Sequence, residues 1–278
     1  MASKKINTFD VLKYITLLIA SFIALLPIVV VLFISFKTSS EYTNSNPLMP
    51  PKDWLNFSNF HDAFSDGGML RGFVNTVIIM AVVLFGAIII GTMVAYVLDR
   101  FKFKGSGLVV GAFLLATLIP GITTQVATYK VINALHLQNT RLAPMILGVG
   151  TDIISIYIFI QFISNISVAL DESAMIEGAS YFTIYRRIIL PLLKPAIATV
   201  VIIKGTGVYN DFYTPLLYMP KSSLGTVSTS LYRFQGPYGG RWEVICAGVI
   251  IAIIPTLIAF ISLQKYFYNG FTGGSVKM

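Results

Sequence analysis

Charge, cysteine and histidine are all scarce in this chain of 278 residues. Only 12% of the residues are charged and 55% are hydrophobic, whereas a soluble domain of this size carries about 25% charged residues. A single cysteine cannot form an internal disulfide, and the two isolated histidines do not have the spacing of metal ligands. The composition therefore indicates an integral membrane protein with no metal or cofactor of its own.

Two further patterns are missing from the sequence. The G-x-x-x-x-G-K-[ST] loop that binds nucleotide phosphates does not occur, so the chain cannot draw energy from ATP by itself. No Ser-His-Asp set accompanies a nucleophile turn, and we therefore expect a protein that is not an enzyme. The net charge of +8 comes from 20 basic and 12 acidic residues that are interspersed. This pattern fits membrane topology better than nucleic-acid binding.

Long apolar runs dominate what the sequence does contain. About 20 apolar residues suffice for a helix to cross the hydrocarbon core, and helices satisfy their backbone groups internally. The alternating segments of about ten residues that mark a membrane barrel are absent. We therefore predict an all-α membrane protein, with residues 1–278 forming one transmembrane domain of six spans. The predicted spans are residues 14–36, 73–98, 105–129, 142–163, 196–219 and 244–264.

The distribution of lysine and arginine predicts the orientation of these spans. The N-terminal segment, the turn after the second span, the loop after the fourth span and the C-terminal tail carry eleven of the 20 basic residues. The segments predicted on the other side carry eight. Basic residues concentrate in short cytoplasmic loops. Both termini are therefore predicted in the cytoplasm, with the chain in the plasma (inner) membrane of a bacterium or archaeon.

The loop of residues 165–195, between the fourth and fifth spans, contains an amphipathic module that reads "ALDESAMIEGASYFTIYRRIILPLLKP". Asp171 and Glu172 lie early in a first helix, where the helix dipole favours acids. Gly178 permits a tight turn, and a second helix is predicted from about Ser180 until Pro191 ends it. From its residues alone, this helix–Gly–helix module could lie on the membrane surface or dock onto a partner.

The module also resembles the EAA loop of ABC importer permeases. Six positions match that family's pattern of Glu-Ala-Ala, three residues, Gly and Ile-x-Leu-Pro: Glu172, Ala174, Gly178, Ile188, Leu190 and Pro191. Ser173 replaces the second residue of the pattern. The strings "VNTV", "AYVLDRFKFKG", "LHLQNTRLAPMIL", "YNDFYTPL" and "QKYFYNGFTGGSVKM" resemble the carbohydrate, or maltose-type, branch in order and spacing. Tyr209 stands where a tryptophan is common in that branch.

This resemblance implies a fold, a function and a set of partners. The fold would be the six-helix bundle of a type I ABC importer permease, and the function sugar import. The partners would be a second homologous permease, a dimer of ATPase subunits that binds ATP and Mg²⁺, and an extracellular sugar-binding protein. The loop would be a coupling helix seated on the ATPase through Leu170, Glu172, Ala174, Met175, Gly178, Arg186 and Arg187. The alternative from another class is a stand-alone secondary carrier or channel for a small polar solute, which would show inverted repeats.

Polar residues inside the predicted spans are candidates for the substrate pathway. Asp152 and Lys204 lie at similar depths in the fourth and fifth spans, so they could form a structural ion pair, line the path or, with less support, relay protons. Tyr209, Asn210 and Asp211 supply the amide, acid and aromatic groups that bind sugars. Asn210 and Asp211 could instead cap a broken helix. We take Asp152, Tyr209, Asn210 and Asp211 as the candidate pathway.

The predicted outer loop of residues 220–243 is rich in aromatic residues and glycine. Tyr232, Phe234 and Tyr238 could form an interfacial belt or contact the binding protein. The segment 270–278 resembles the short C-terminal segment of the family, which implies contact with the ATPase dimer. The sequence does not name the sugar, and a related polyol or glycerophosphodiester stays open.

Overall fold

The computed structural model of the chain describes residues 8–101, 103–150, 152–236 and 239–272. Within this part the structure is helical apart from one hairpin, in which strand β1, Gln235–Gly236, pairs antiparallel with β2, Gly239–Gly240. The described chain divides into two compact units: residues 8–69 with Ser230–Pro255, and Leu70–Thr229 with residues 256–272. The prediction of an all-α membrane protein is confirmed.

The first unit is built around the end of one long apolar helix. It contains α1 (Thr8–Phe36), α2 (Ser39–Asn44) and α3 (Ser58–Ser65). Phe36 packs its ring against Phe57 and Phe60, at centroid distances of 5.6 and 5.0 Å. Lys37 follows directly, fully buried, and its Nζ donates to Ser45 Oγ at 2.9 Å. The loop after α1 is therefore folded onto the helix end by aromatic packing and a buried cation.

The second unit contains most of the other helices. Its transmembrane part begins with α4 (Met69–Arg100), α5 (Ser106–Thr117), α6 (Gly121–Ala134), α7 (Leu142–Val149) and α8 (Ile153–Ser164). The loop module consists of α9 (Ala169–Ile176), α10 (Tyr181–Ile184), a π-helical turn (Tyr185–Ile189) and α11 (Leu190–Leu192). The chain continues through α12 (Lys194–Asn210), α13 (Tyr213–Tyr218) and a 3₁₀ turn (Ser222–Leu224). The last two helices, α14 (Val227–Tyr232) and α15 (Trp242–Thr272), each belong partly to both units.

Four segments of the described chain are long and apolar enough to cross a membrane as they stand: Val11–Phe36, Met69–Arg100, Leu142–Ser164 and Trp242–Ser262. Two helix pairs reach that length only together, across bends: α5 with α6, at 98°, and Tyr181–Leu192 with α12, at 70°. Counting each bent pair as one span gives up to six by length and composition, although the second pair begins inside the loop predicted to be cytoplasmic and not at residue 196.

Two predicted spans are broken, the third without any expectation of a break and the fifth at the residues for which a broken helix was the alternative. The third run divides at Pro120, because proline cannot donate a backbone hydrogen bond and disfavours helical geometry in the residue before it. The fifth run divides at Asp211, whose ψ of 109° is extended, so that α12 ends at Asn210 and α13 begins at Tyr213.

The core of the second unit joins the transmembrane helices to the loop module. Phe159 of α8, Tyr185 of the π-helical turn and Leu193 before α12 are buried in one cluster. Along α4, Gly86 lies against Val149, and a Cβ added at Gly86 would come within 2.6 Å of that side chain. A glycine is therefore required for the close approach of α4 and α7.

Candidate functional site

The first helix of the loop module has one buried and one exposed face. The Ser167 hydroxyl accepts a hydrogen bond from the Ala169 N–H at 3.3 Å, and Val168 directly precedes the helix. Asp171 and Ala174 are buried, whereas Glu172 is exposed. Ala174, predicted to contact the ATPase, thus packs into the core of the unit.

Gly178 ends this helix in a Schellman motif. Its φ of +83° is left-handed, and its N–H donates to Met175 O at 2.9 Å. The Ala179 N–H donates to Ala174 O, also at 2.9 Å, which closes the turn. Glycine adopts this backbone geometry without steric cost. A Cβ at this position would meet no other atom of the chain within 4 Å, so the turn is open to the outside.

The second half of the module departs from the predicted helix. Ser180 caps α10 as expected, since its hydroxyl accepts from the Thr183 N–H at 3.3 Å. A π-helical turn then follows and carries Arg186 and Arg187, both exposed. Pro191 was predicted to end the helix, but the helix continues through it to Leu192. The π-helical turn precedes it, and the chain bends after Leu192 instead. π-helical turns occur frequently at functional sites.

The tip of the module presents apolar side chains on its surface. Ile176 is 88% exposed, and Leu170 and Met175 are 45% and 39% exposed. Ile176 was not among the predicted coupling residues, although it lies directly beside Met175 in the sequence. The tip thus combines apolar side chains with an open turn at Gly178.

Arg100, at the end of α4, holds the module in place. Its Nε donates to Asp171 Oδ2 at 2.7 Å, and its Nη2 donates to Ile166 O at 2.8 Å. Its Nη1 donates to Asp99 Oδ2, also at 2.7 Å. The side chains of Arg100 and Asp171 are only 8% and 4% exposed. From the sequence, Arg100 was predicted only to help set the orientation of the spans. Its contact with Asp171 was not predicted, because no local pattern points to a partner 71 residues away.

Aromatic packing reinforces this clamp along α4. Phe101 packs against Tyr181 with ring centroids 4.9 Å apart, and Tyr96 packs against Tyr185 at 5.8 Å. The Tyr185 hydroxyl also forms a hydrogen bond with Thr92 Oγ1 at 2.8 Å. A displacement of the module would therefore be transmitted to α4.

A cavity of about 360 Å³ lies within the second unit and contains two of the predicted pathway residues. Lys204 Nζ lies 3.2 Å from Asp152 Oδ2, so the ion pair that the sequence left open is formed. Asp152 also caps α8, because its Oδ1 accepts from the Ser155 N–H at 3.4 Å, and its Oδ2 accepts from Ser155 Oγ at 2.6 Å. Asp211 lines the same cavity, and its Oδ1 accepts from the Thr214 N–H at 3.0 Å. Asp211 thus caps the start of the helix that follows the break, which was the alternative to a direct sugar contact.

The other two predicted pathway residues do not line this cavity. Asn210 is exposed at the end of α12, and Tyr209 is partly buried. Asn75, from the "VNTV" string, ties α4 to the segment after α13, because its Nδ2 donates to Gly225 O at 2.9 Å. Thr76, which lines the cavity, accepts from the Val227 N–H at 3.1 Å. These two hydrogen bonds fix the segment that carries Thr226 into the cavity wall.

In the first unit, the aromatic loop is anchored by an ion pair. Arg241 donates to Asp62 Oδ2 at 2.7 Å, and this hydrogen bond lowers the pKa of Asp62 below its usual value. Tyr232 is half-exposed and Phe234 is partly buried. Tyr238 and the last residues of the predicted C-terminal contact, 273–278, lie outside the described residues.

Comparison with known proteins places these features in a family. Residues 87–272 match the model of the binding-protein-dependent transport system inner membrane component. The chain belongs to this family. It is 30% identical over 259 residues to the arabinooligosaccharides transport system permease protein AraQ of Halalkalibacterium halodurans, covering 92% of both chains. It is 31% identical over 269 residues to the probable starch degradation products transport system permease protein AmyC of Thermoanaerobacterium thermosulfurigenes, covering 95% of this chain and 97% of the relative.

The fold of this inner membrane component agrees with that of a solved importer. A bacterial ABC transporter involved in the import of the acidic polysaccharide alginate superposes with a TM-score of 0.83, at 19% identity and over 96% of this chain and 99% of that one. The predicted ABC importer permease fold is thereby confirmed. The protein is a multi-pass membrane permease, in agreement with the expectation that it is not an enzyme, and the family does not favour a stand-alone carrier.

Proposed function

We propose that this permease imports a sugar or oligosaccharide, driven by ATP that a partner ATPase dimer binds with Mg²⁺ and hydrolyses. A second homologous permease would complete the membrane channel, and an extracellular binding protein would deliver the sugar. The names of the two relatives, which refer to arabinooligosaccharides and starch degradation products, support carbohydrate as the cargo. Both termini would lie in the cytoplasm, on the side of the loop module.

The observation that carries this proposal is the exposed apolar tip of the loop module. Ile176, Leu170 and Met175 would face water in the isolated chain, which is unfavourable for a contiguous apolar surface. The exposed Glu172, Arg186 and Arg187 flank this surface with charge. An apolar centre with a charged rim is the usual anatomy of a protein interface. Seating on an ATPase subunit accounts for both features better than a position on the membrane surface.

The clamp at Arg100 explains how such a seat would move the permease. Closure of the ATPase dimer displaces the module, and the ion pair with Asp171 carries the displacement to α4. The bend at Leu193 carries it to α12, where Lys204 lines the cavity, and to Asp211 directly after that helix. Rigid elements that pass a displacement from one site to another are the usual basis of such coupling. ATP hydrolysis would thereby change the access to the cavity.

Outside the membrane, the aromatic loop of residues 220–243 would contact the binding protein. Tyr232 and Phe234 would contact it, together with Tyr238, and the ion pair of Arg241 with Asp62 would hold the loop in position. Tyrosine and arginine are enriched in protein interfaces. The sugar would pass from the binding protein to the cavity that Asp152 and Asp211 line.

Substitution of Gly178 tests the seat on the ATPase. Gly178→Asp places a charged side chain on the open turn, where it meets no atom of this chain but would clash with a seated partner. We expect the reconstituted complex to lose ATP hydrolysis stimulated by the binding protein by about tenfold or more, since tenfold corresponds to only ~1.4 kcal/mol. Hydrolysis is measured in proteoliposomes, together with the amount of assembled complex.

Gly105→Asp is the matched control for this substitution. Gly105 also has a positive φ, +100°, and open space around its Cβ position, and it lies in the other short loop predicted on the cytoplasmic side. The backbone strain of the two variants is therefore comparable. Stimulated hydrolysis that survives in Gly178→Asp, or that is lost equally in Gly105→Asp, would contradict the proposed seat. Transport driven by an ion gradient without ATP would instead support a carrier.

A further inference from the structure

The cavity of the second unit has a charged face on α12. Lys204, Gly207 and Val208 line it from one face of the helix, at positions i, i+3 and i+4, and Asp211, the first residue after the helix, lines it as well. Asp152 at the start of α8 and the hydroxyl-bearing residues Thr76, Ser155, Thr214 and Thr226 also line it, among apolar side chains such as Ile79, Val83 and Leu147. Its volume of about 360 Å³ falls within the range of about 300–1,000 Å³ that is typical of small-molecule sites. The cavity is therefore large enough for a sugar ring, and it offers that ring a small number of polar groups among apolar side chains.

The ionisable groups of this cavity do not balance. Lys204 is neutralised by Asp152, at 3.2 Å. The carboxylate of Asp211 accepts a backbone hydrogen bond from Thr214, but it forms no ion pair with any cation in the described residues. Three ionisable side chains line the cavity, two acids and one base. By formal charge the cavity thus carries one more acid than base, and the unpaired acid is Asp211.

A net negative charge sets the class of ligand that the cavity accepts. The carboxylates of Asp152 and Asp211 accept hydrogen bonds, and the hydroxyl groups of a neutral sugar donate them. A uronic acid residue would place a second carboxylate beside Asp211, where water no longer screens the repulsion as it does in bulk. Such a like-charge contact discriminates between ligands of similar shape.

We propose that this cavity selects uncharged saccharides and rejects acidic ones, with Asp211 as the residue that determines the selection. This inference rests on the proposed function, because it assigns the substrate class of the same importer. The fold alone does not set the charge of the cargo, since the solved importer that shares it is named for an acidic polysaccharide. The residues that line the path contribute to it, and in this chain the formal net charge of the lining is negative.

A thiol probe measures the charge of the cavity without knowledge of the sugar. Gly207→Cys introduces the thiol on the cavity face, where its Cβ meets no atom within 4 Å, and Cys246→Ser removes the native thiol. The complex is treated with a cationic and an anionic methanethiosulfonate reagent, and the two rates are normalised to those of a free thiol in solution. We expect the cationic reagent to be favoured by about tenfold, and Asp211→Asn to abolish most of this preference.

Asparagine is suited to this test because it keeps the carbonyl oxygen that accepts from the Thr214 N–H. The fold around α13 should therefore be unchanged. Asp66→Asn removes the same charge from an exposed position outside the cavity and should leave the ratio as it is. Equal normalised rates of the two reagents in the Gly207→Cys protein that retains Asp211 would overturn the inference.

Transport then connects the charge to the substrate class. Uptake of maltotriose and arabinotriose is compared with uptake of trigalacturonate in proteoliposomes that contain the whole importer and one binding protein. We expect the uronate to be transported at least about tenfold more slowly, and Asp211→Asn to raise its rate relative to the neutral sugars. Because the binding protein is the same in both assays, a change in this ratio reports on the permease.

The remaining outcomes separate the two proposals. Neutral and acidic sugars transported at equal rates would overturn the charge selection and leave sugar import intact. Rejection of the uronate that persists unchanged in Asp211→Asn would place the selection elsewhere and also overturn the inference. Transport of neither class would overturn the proposed function, and the substrate class with it.

Discussion

Asp152 has two structural contacts at once, because its carboxylate caps α8 through Ser155 and pairs with Lys204 of α12. Charged side chains within a membrane cost roughly 2.5–3.5 kcal/mol each on insertion scales, so both groups are better accommodated as a pair. Lys204 remains 24% exposed and Asp152 13% exposed, through the cavity that both line. The pair therefore belongs to the wall of the cavity as well as to the packing of the helices.

A double-mutant cycle tests the pair. Lys204→Met alone leaves an unpaired acid and should destabilise the protein by about 2 kcal/mol, less than the ~3–5 kcal/mol of a fully buried pair because the site is partly exposed. Adding Asp152→Asn removes the unpaired charge and keeps an oxygen for the cap, so the double variant should recover much of the loss. Thermal unfolding in detergent measures both. If the loss of stability in the double variant equals the sum of the losses in Lys204→Met and Asp152→Asn alone, the two residues do not pair.

The sequence could predict this pair but not the clamp at Arg100. The fixed rise of a helix gives the depth of Asp152 and Lys204 in their spans, and similar depth in adjacent helices implies proximity. Arg100 lies in a basic turn whose charges are explained by topology alone. Its pairing with Asp171 depends on how the loop module folds back onto α4, and no local pattern encodes that position.

At the scale of elements, the loop module behaves as an extension of α4. Arg100 bonds to both the backbone and a side chain of the module, and the rings of Tyr96 and Phe101 pack against Tyr185 and Tyr181. The bonds to Arg100 are charge-assisted, buried and short, which makes them strong. Motion of the module relative to α4 would break them, so the two should move together.

Arg100→Lys tests whether this clamp transmits the movement. Lysine keeps the charge but cannot form the planar, multiply bonded contact of arginine. We expect ATP hydrolysis to continue while sugar transported per ATP falls several-fold, because the module would still seat but would no longer carry α4 with it. Both rates are measured in the same proteoliposomes. If the clamp had only a structural role, Arg100→Lys would lower the rates of ATP hydrolysis and of sugar transport by the same factor.

Lys104→Ala provides the control for the clamp. Lys104 lies four residues further along the same basic turn and is exposed. Its replacement should leave the ratio of transport to hydrolysis unchanged. Asp171→Asn, which keeps an acceptor for Arg100 but loses the charge, should give an intermediate ratio. A normal ratio in both Arg100→Lys and Asp171→Asn would show that the clamp does not couple the two events.

The positions at which helices break were predicted least well, because the spans were predicted from apolar runs. Hydropathy is averaged over a run, so it passes over Pro120, although that proline marks the 98° bend between α5 and α6. The break at Asp211 had a clearer signal, an acid before a proline-containing turn, and the capping alternative was correctly raised for it. The π-helical turn at Tyr185–Ile189 had none, because its residues suit an α-helix equally well.

At the scale of the whole molecule, the bent pair α5–α6 decides the topology. If the pair crosses the membrane, three spans separate the loop after α1 from the loop module, and the two loops lie on opposite sides. If the pair instead enters and leaves on one side, only two spans separate them, and they lie on the same side. The eleven basic residues of the predicted cytoplasmic segments favour crossing.

Single cysteines in a Cys246→Ser background distinguish the two topologies. The positions are Leu55, Lys104, Leu135 and Ile176, all exposed, and they follow α1, α4, α6 and α9 in turn. A membrane-impermeant maleimide is applied to intact cells and to inverted vesicles. We expect labelling of the Leu55 and Leu135 positions from outside, and of the Lys104 and Ile176 positions from inside only.

Each alternative gives a different pattern across these four positions. A re-entrant α5–α6 pair would place Leu135 on the same side as Lys104, and Ile176 on the side of Leu55, because the pair would no longer invert the chain. The loop module would then face away from the cytoplasm, where no ATPase could reach it. Labelling of the Ile176 position from outside would therefore contradict both the six-span topology and the coupling proposed for the module, whereas the expected alternation supports both.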